Sequence, residues 1–223
     1  MCFSIAASFA VGIVLVGVGV ATLLLVRRRR DLMFATVPLF FGIQQLLEGF
    51  VWLGLLGGYQ GLTTGASYSY TFFSHIFWAA WIPTAVLLQE RQSRRKIILR
   101  VLAGLGGAVA IAYALMLWTK GMTVGIWGHS IDYNLYAPPG WWFWTGAYIL
   151  AACGSCLVSS RRWIMTLGMA MFSAAVVATI FFFQTFASVW CFLAALVSLM
   201  VYAHYRTLDH ESHAAKPASR TPT

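Results

Sequence analysis

The sequence predicts an all-α integral membrane protein, a bundle of seven transmembrane helices with its N-terminus outside and its C-terminus in the cytoplasm. Three observations predict it. Hydrophobic residues make up 60% of the 223 residues and charged residues only 9%, the apolar residues fall into seven long runs, and the basic residues lie in short blocks between those runs. A soluble domain carries about 25% charged residues, so this chain cannot cover itself with a polar surface. We therefore expect a multi-pass protein of the cell membrane, surrounded by lipid.

The seven apolar runs are the predicted spans. A transmembrane helix needs about 20 apolar residues at a rise of about 1.5 Å each, and a tight turn near Gln184 and Thr185 has to separate the last two runs. The predicted spans are 3–26, 33–57, 69–90, 97–118, 140–160, 163–184 and 186–205. They form one domain over residues 1–205, and the polar residues 206–223 are predicted to be a disordered cytoplasmic tail.

The basic residues predict the orientation. With seven spans, 14 of the 15 Lys and Arg residues fall on one side of the membrane, and Lys120 alone falls on the other. Basic loops stay in the cytoplasm, so the N-terminus faces out. This placement also explains the net charge of +9 without a nucleic-acid partner. Span 1 is predicted to be retained rather than cleaved, because its arginines, 27–30, follow a long apolar core.

Two ionisable residues lie well inside predicted spans, Glu48 in span 2 and His75 in span 3. Such residues cost about 2.5–3.5 kcal/mol to insert and mark functional sites by default. At helical rise, Glu48 lies about 13 Å and His75 about 8 Å below the outer surface. No lysine lies inside a span, so no retinal, which binds through a lysine Schiff base, is expected.

The same calculation brings two cysteines to the outer leaflet. Cys191 lies about 8 Å deep in span 7, and Cys2 begins span 1 at the outer boundary. Cys2, Glu48, His75 and Cys191 are a ligand set for zinc, and two thiolates also suit Cu(I). The sequence therefore predicts an outward-facing metal site, in which Glu48 is a ligand or the catalytic base that activates a metal-bound water. Its substrate would be a lipid headgroup or a small molecule from outside, and enzyme status stays open.

The same residues allow other interpretations. Cys2 and Cys191 face an oxidising compartment and fit a disulfide, or they are packing thiols. Glu48 would then be the proton or cation site of a transporter or sensor, or a carboxyl group that only joins helices through the nearby glutamines. His75 equally fits a hydrogen bond to a backbone carbonyl of another helix.

Span 2 carries a polar face around Glu48. Gln44 and Gln45 lie about one turn before it and Trp52 one turn after it, so the four side chains share a face. The amides are expected to hold or orient the carboxylate. Gly42 and Gly49 would let a neighbouring helix approach closely.

Two further features are weaker. The outer loop 119–139 contains His129 and Asp132, which either add ligands from a lid over the cavity or belong to an aromatic segment resting on the membrane interface. Cys153 and Cys156 form a C-x-x-C pair, but they lie among small residues near the inner end of span 5. Close helix packing is therefore expected there rather than redox chemistry.

Four stretches, MCFSIAASF, QQLLEGFVW, FWAAWIP and FASVWCFLAALVS, together resemble an uncharacterised family of small prokaryotic membrane proteins that begin M-C-F-S. The resemblance extends over nearly the whole chain. It implies a seven-span fold and a shared pattern that includes Cys2, Glu48, Trp190 and Cys191, but no activity. The predicted architecture is also similar to that of the seven-span, zinc-dependent alkaline ceramidases, although their motif of several histidines and an aspartate is absent here.

Overall fold

The computed structural model describes residues 4–135 and 140–214 as a bundle of helices with one β-hairpin. In chain order the helices are α1 (Ile5–Leu25), α2 (Arg29–Ala35), α3 (Val37–Gly57), α4 (Gln60–Thr71), α5 (Trp78–Gln89), α6 (Ser93–Lys120), α7 (Trp141–Ile149), α8 (Ser155–Val158), α9 (Arg162–Phe181), α10 (Phe186–Val197) and α11 (Leu199–Ala214). Two π-helical turns, Phe72–Phe77 and Leu150–Gly154, join α4 to α5 and α7 to α8. A 3₁₀ turn, Phe183–Thr185, precedes α10 and confirms the predicted tight turn.

Six continuous helical segments are long and apolar enough to cross a membrane. They are Ile5–Leu25, Arg29–Gly57, Gln60–Gln89, Ser93–Lys120, Arg162–Phe181 and Phe183–Glu211. The run predicted at 140–160 is a shorter apolar helix, Trp142–Val158. The prediction of an all-α chain made of long apolar helices is therefore confirmed in this form, with the hairpin as an addition.

Local signals explain where several helices begin and end. Ser4 caps α1 by accepting a hydrogen bond from the backbone N–H of Ala7 at 3.3 Å. Gly58 ends α3 with φ of 69°, and Gly121 ends α6 with φ of 70°. This left-handed backbone is strained for residues with a Cβ atom, so glycine stops these helices cleanly.

Helices α1 and α3 cross at very short range. A Cβ atom on Gly42 would lie 2.6 Å from the backbone nitrogen of Val16, and one on Gly19 would lie 2.4 Å from the Cα atom of Leu39. Real side chains essentially never approach so closely, and small residues are what membrane helices use to pack backbone against backbone. The close approach predicted at Gly42 is confirmed, and it fixes the position of the polar face of α3.

Two predicted boundaries are wrong. Helix α4 begins at Gln60, nine residues before the predicted start of span 3 at 69, because the polar stretch after Gly58 lowers hydropathy without breaking the helix. The last helix continues to Ala214, beyond the predicted limit of 205, since residues 206–214 contain neither Gly nor Pro. A salt bridge of 2.6 Å between Arg27 and Asp209 also holds this extension. Residues 215–223 of the predicted tail lie outside the described residues.

The segment after α6 forms a β-hairpin where only a loop is predicted. Strand β1 (Met122–Trp127) pairs antiparallel with β2 (Ser130–Leu135) across a turn at Gly128. Alternate residues of β2, namely Ile131, Tyr133 and Leu135, are buried, as expected for a strand with one covered face. The hairpin packs against α10 and brings β2 over the polar face of α3.

Candidate functional site

Glu48 is a buried carboxyl group in the middle of α3, with only 1% of its surface exposed. Ser188 of α10 donates a hydrogen bond from its hydroxyl to Oε1. The other oxygen, Oε2, is buried without a hydrogen-bond partner among the described residues. A buried polar atom without a partner costs free energy, so Oε2 is positioned to take up a proton, a cation or a hydrogen-bond donor.

Two glutamine amides beside Glu48 are also incompletely bonded. Gln44 accepts a hydrogen bond from the indole N–H of Trp78 at 2.6 Å, but its own Nε2 has no partner in the described part of the chain. Gln45 lies next to Glu48, yet neither its Nε2 nor its Oε1 is in hydrogen-bonding geometry with any described residue. Both glutamines are 0% exposed. One face of α3 thus carries several buried polar atoms free to bond something else.

Two tyrosines and a thiol close the site. Tyr70 donates its hydroxyl to the carbonyl oxygen of Ala187 at 3.3 Å, and its ring stacks on Tyr133 of the hairpin with 4.3 Å between centroids. The hydroxyl of Tyr133 is buried without a partner among the residues described. Cys191 is a buried thiol next to Gln44 and Tyr70, within electrostatic range of Glu48.

These side chains form what we call the Glu48 cluster. Its members come from α3, α4, β2 and α10, and they are Gln44, Gln45, Glu48, Tyr70, Tyr133, Ser188 and Cys191. It offers unpaired donors (two amides and a phenol) and unpaired acceptors (an amide oxygen and a carboxylate oxygen). A small species that both donates and accepts hydrogen bonds suits this set.

His75 lies in the π-helical turn between α4 and α5. Turns of this kind are often found at functional sites. Its Nδ1 lies 2.8 Å from the hydroxyl oxygen of Ser74. The ring lines a cavity of about 330 Å³ that also contacts Asp132 and Gln184, and a second cavity of about 50 Å³ that reaches Cys191. His75 therefore stands between the hairpin and the Glu48 cluster, on a wall of both cavities.

The predicted four-ligand metal site is not completed by the described residues. Cys2 lies outside them, and within 4–135 and 140–214 no group of three or more His, Cys, Asp or Glu side chains is placed to hold a metal ion. Glu48 and Cys191 lie within electrostatic range of each other, and His75 lines the same small cavity as Cys191 without completing such a group among the described residues. The sequence predicts the depth of these residues along their helices, but it does not predict which neighbouring helix each side chain faces.

The remaining predicted residues have clear positions. Trp52 is buried in an apolar group with Tyr70, Tyr133 and Cys191, beneath the hairpin. Trp190 donates its indole N–H to the carbonyl of Met171 at 3.3 Å and so ties α10 to α9.

The two loop candidates separate. Asp132 lines the larger cavity, and burial raises the pKa of its carboxyl above the ordinary 3.8. His129 is exposed in the hairpin turn and lines a different cavity, beside the 3₁₀ turn. Cys153 and Cys156 are buried free thiols. A Cβ on Gly168 would lie 2.5 Å from that of Cys156, which confirms close helix packing at this pair.

Sequence reasoning missed Ser188 and Tyr70 as members of the cluster. Ser188 lies three residues before Cys191 and therefore on the same helix face, which was an available signal. Tyr70 carried no signal of its own, because tyrosines are common at membrane interfaces.

A family of unknown function, DUF6629, matches residues 1–216. The chain belongs to this family. The match includes every residue of the Glu48 cluster, and it confirms the expectation of an uncharacterised family. The prokaryotic origin and the shared opening M-C-F-S stay predictions. No curated protein and no solved structure matches this member of DUF6629.

Proposed function

We propose that the chain is a seven-span membrane protein in which the Glu48 cluster binds and releases a proton or a small cation, as the site of a transporter or sensor. The span that raises the count from six to seven is Trp142–Val158, at the place of the predicted fifth span. At about 1.5 Å per residue it reaches about 25 Å, which lies at the short end of the range for spanning helices. With that span, the basic blocks lie on one side, so the N-terminus faces out and the hairpin lies at the outer end.

The observation that carries this proposal is the unpaired Oε2 of Glu48. An ionised carboxylate with one free oxygen is costly in a buried site, so a proton or a cation at Oε2 lowers the free energy. Donors at Gln44, Gln45 and Tyr133 lie in the same cluster as this acceptor. A site with both donors and acceptors suits a protonated carboxyl group or a hydrated cation, whose water molecules both donate and accept hydrogen bonds. A bare metal ion needs acceptors only.

The two cavities supply a path to the cluster. The larger one lies between the hairpin and α10 and contains Asp132 and His75, and the smaller one continues from His75 to Cys191. Asp132 and His75 are both able to take and release a proton. In this proposal they pass protons from the outer side to Glu48.

Infrared spectroscopy of the reconstituted protein tests the site. The wild type is expected to show a carboxylic-acid C=O band that titrates with pH and is missing from Glu48→Gln. Glu211→Gln, which changes an exposed carboxylate, is the matched control and should keep the band. Identical spectra for wild type and Glu48→Gln at every pH would overturn the proposal. Proton flux into proteoliposomes then separates a transporter from a sensor.

A metal-dependent hydrolase is the second candidate, and the position of Cys191 within electrostatic range of Glu48 favours it. Ile5, three residues after Cys2 in sequence, packs against the apolar group that contains Cys191. Cys2, Glu48 and Cys191 would then hold zinc or copper, with Glu48 as ligand or base for an outer lipid headgroup or small molecule.

Elemental analysis of the purified protein, with a count of free thiols, tests this second candidate. Near-stoichiometric zinc or copper that is lost in Cys191→Ser would support it. A Cys2–Cys191 disulfide without metal would exclude it and leave Glu48 as a proton or cation site.

A further inference from the structure

Another cavity, with a different chemistry, lies at the opposite end of the bundle from the hairpin. Its volume is about 480 Å³, within the range of ligand sites. It is enclosed by the link between α1 and α2, the start of α9 and the end of α11. The residues that line it are Leu25, Arg27, Arg28, Asp31, Arg161, Trp163, His204, Tyr205, Leu208 and Asp209. None of them belongs to the Glu48 cluster.

The charges in this cavity favour an anion. Asp209 is held by Arg27 at 2.6 Å, and Asp31 lies 3.9 Å from the Nε of Arg30. Asp209 is therefore paired with Arg27, whereas Asp31 has only a long approach to Arg30, and neither its Oδ1 nor the Nε of Arg30 has a hydrogen-bond partner among the described residues. Arg28 and Arg161 form no ion pair among the described residues, and both lie within electrostatic range of Arg30. Like charges held together repel, so an anion between these guanidinium groups would stabilise the protein.

A residue in the wall of the cavity also carries a hydrogen-bond donor without a partner. The indole Nε1 of Trp163 is buried and has no acceptor in the described part of the chain. Its ring is held in place by stacking on His204, with 4.0 Å between centroids, and by an edge contact with Phe34. A fixed, buried donor without an acceptor is rare in proteins, and here it belongs to a residue that lines the cavity.

The start of helix α9 adds a third favourable feature. Arg161 is its N-cap residue, and neither a capping side chain nor an acidic residue occupies the first turn. The carboxylate of Glu90 already lies one residue before this N-cap, on Ser160. The first-turn N–H groups and the dipole of this 20-residue helix favour further negative charge there. Since Arg161 and Trp163 both line the cavity, the positive end of the helix lies at its wall.

We propose that this cavity binds a phosphate group, carried by an anionic lipid headgroup or by a soluble phosphorylated molecule. Arg28 and Arg161 both line the cavity and supply guanidinium groups, each of which can donate two parallel hydrogen bonds to phosphate oxygens. Trp163 supplies a neutral donor. The cavity lies at the arginine-rich end, where anionic lipids of the cytoplasmic leaflet would reach it in the proposed orientation.

The test uses the full-length protein in phosphatidylcholine nanodiscs, and its readout is the unfolding temperature. One arm adds phosphatidic acid to the lipid, and the other adds inorganic phosphate to the buffer at constant ionic strength. A bound ligand raises the unfolding temperature by mass action. A rise only with phosphatidic acid identifies a lipid headgroup, and a rise with inorganic phosphate identifies a soluble phosphate source. No rise in either arm overturns the proposal.

Three variants locate the effect. Arg28→Gln and Arg161→Gln are each expected to weaken the apparent affinity about tenfold, since each removes a charge-assisted hydrogen bond. Trp163→Phe keeps the stacked ring, removes only the N–H group, and should weaken it about fivefold. Arg94→Gln, an exposed arginine at the same end but outside the cavity, should change nothing.

An equal loss in Arg94→Gln would show general attraction to basic residues and would overturn a specific site. If Arg161→Gln fails to fold, the comparison of Trp163→Phe with the wild type decides the question, because an unchanged affinity in Trp163→Phe contradicts the assignment of the indole N–H.

Discussion

Ser188 makes the only hydrogen bond that Glu48 forms with a described residue, apart from those of its backbone. Ser188→Ala would leave both carboxyl oxygens buried without a donor. We expect a loss of about 1–3 kcal/mol in unfolding free energy, the usual cost of an unpaired buried group, measured by thermal unfolding in detergent. Ser198→Ala is the control, because that equally buried serine bonds only to a carbonyl of its own helix, Ala195. Equal losses in both variants would contradict the importance of the contact to Glu48.

For single residues, the sequence predicted that Glu48, its two glutamines and Cys191 lie in the same leaflet, and the structure places them together. It also predicted His75 in the same ligand set, whereas His75 shares a small cavity with Cys191 and the described residues form no such set. Hydropathy and helical rise give the depth of a residue along a span. They do not give the rotation of that span around its axis, which depends on packing against other helices.

Two loops at the arginine-rich end are joined through Glu90, which follows α5 directly. Its carboxylate accepts hydrogen bonds from the backbone N–H groups of Arg91 and Gln92, and from both the N–H and the hydroxyl of Ser160. Arg95 bonds back to the carbonyls that end α8. The link between α5 and α6 is thereby fixed to the link between α8 and α9.

This junction predicts an acid-sensitive stability. Burial alone would raise the pKa of Glu90, but the hydrogen bonds from Gln92 and Ser160 outweigh it and lower the pKa to about 2 from the ordinary 4.5. A lowered pKa stabilises the folded state above about pH 4.5, and this contribution is lost as the pH falls toward 2. The unfolding temperature of the wild type should fall over that range. In Glu90→Gln it should be lower at neutral pH and flatter, and an equally steep fall in the variant would contradict the prediction.

At the level of elements, the helices were predictable and the hairpin was not. Long apolar runs leave little choice but helix in lipid, because backbone groups must be paired within the segment. The segment 122–135 is short, contains two aromatic residues, Trp127 and Tyr133, and follows Gly121. The alternation of buried and less buried side chains along β2 is seen only in the structure. Ile131, Tyr133 and Leu135 are buried because α10 and α4 lie beneath them.

The number of spans is a property of the whole molecule, and it depends on the shortest helix, Trp142–Val158. If this helix crosses the membrane, the residues on either side of it face different compartments. His129→Cys should react with a membrane-impermeant maleimide on intact cells, and Arg162→Cys should react only after permeabilisation. Both positions are exposed, and the three described native cysteines are buried. Labelling of both variants from outside would contradict seven spans.

The close crossing of α1 and α3 at Gly19 and Gly42 has a consequence for biosynthesis. Helix α3 carries a carboxylate and two amides that lipid disfavours, whereas α1 is the most apolar of the long helices. In the proposed membrane protein, the ribosome makes α1 first, so α1 is already in the bilayer when α3 leaves the translocon. Helix α1 then offers α3 a surface that contains glycine, and the two helices can partition into lipid as a preassembled pair. Gln44, Gln45 and Glu48 would thus enter the membrane before Ser188 and Cys191, their later partners, have been translated.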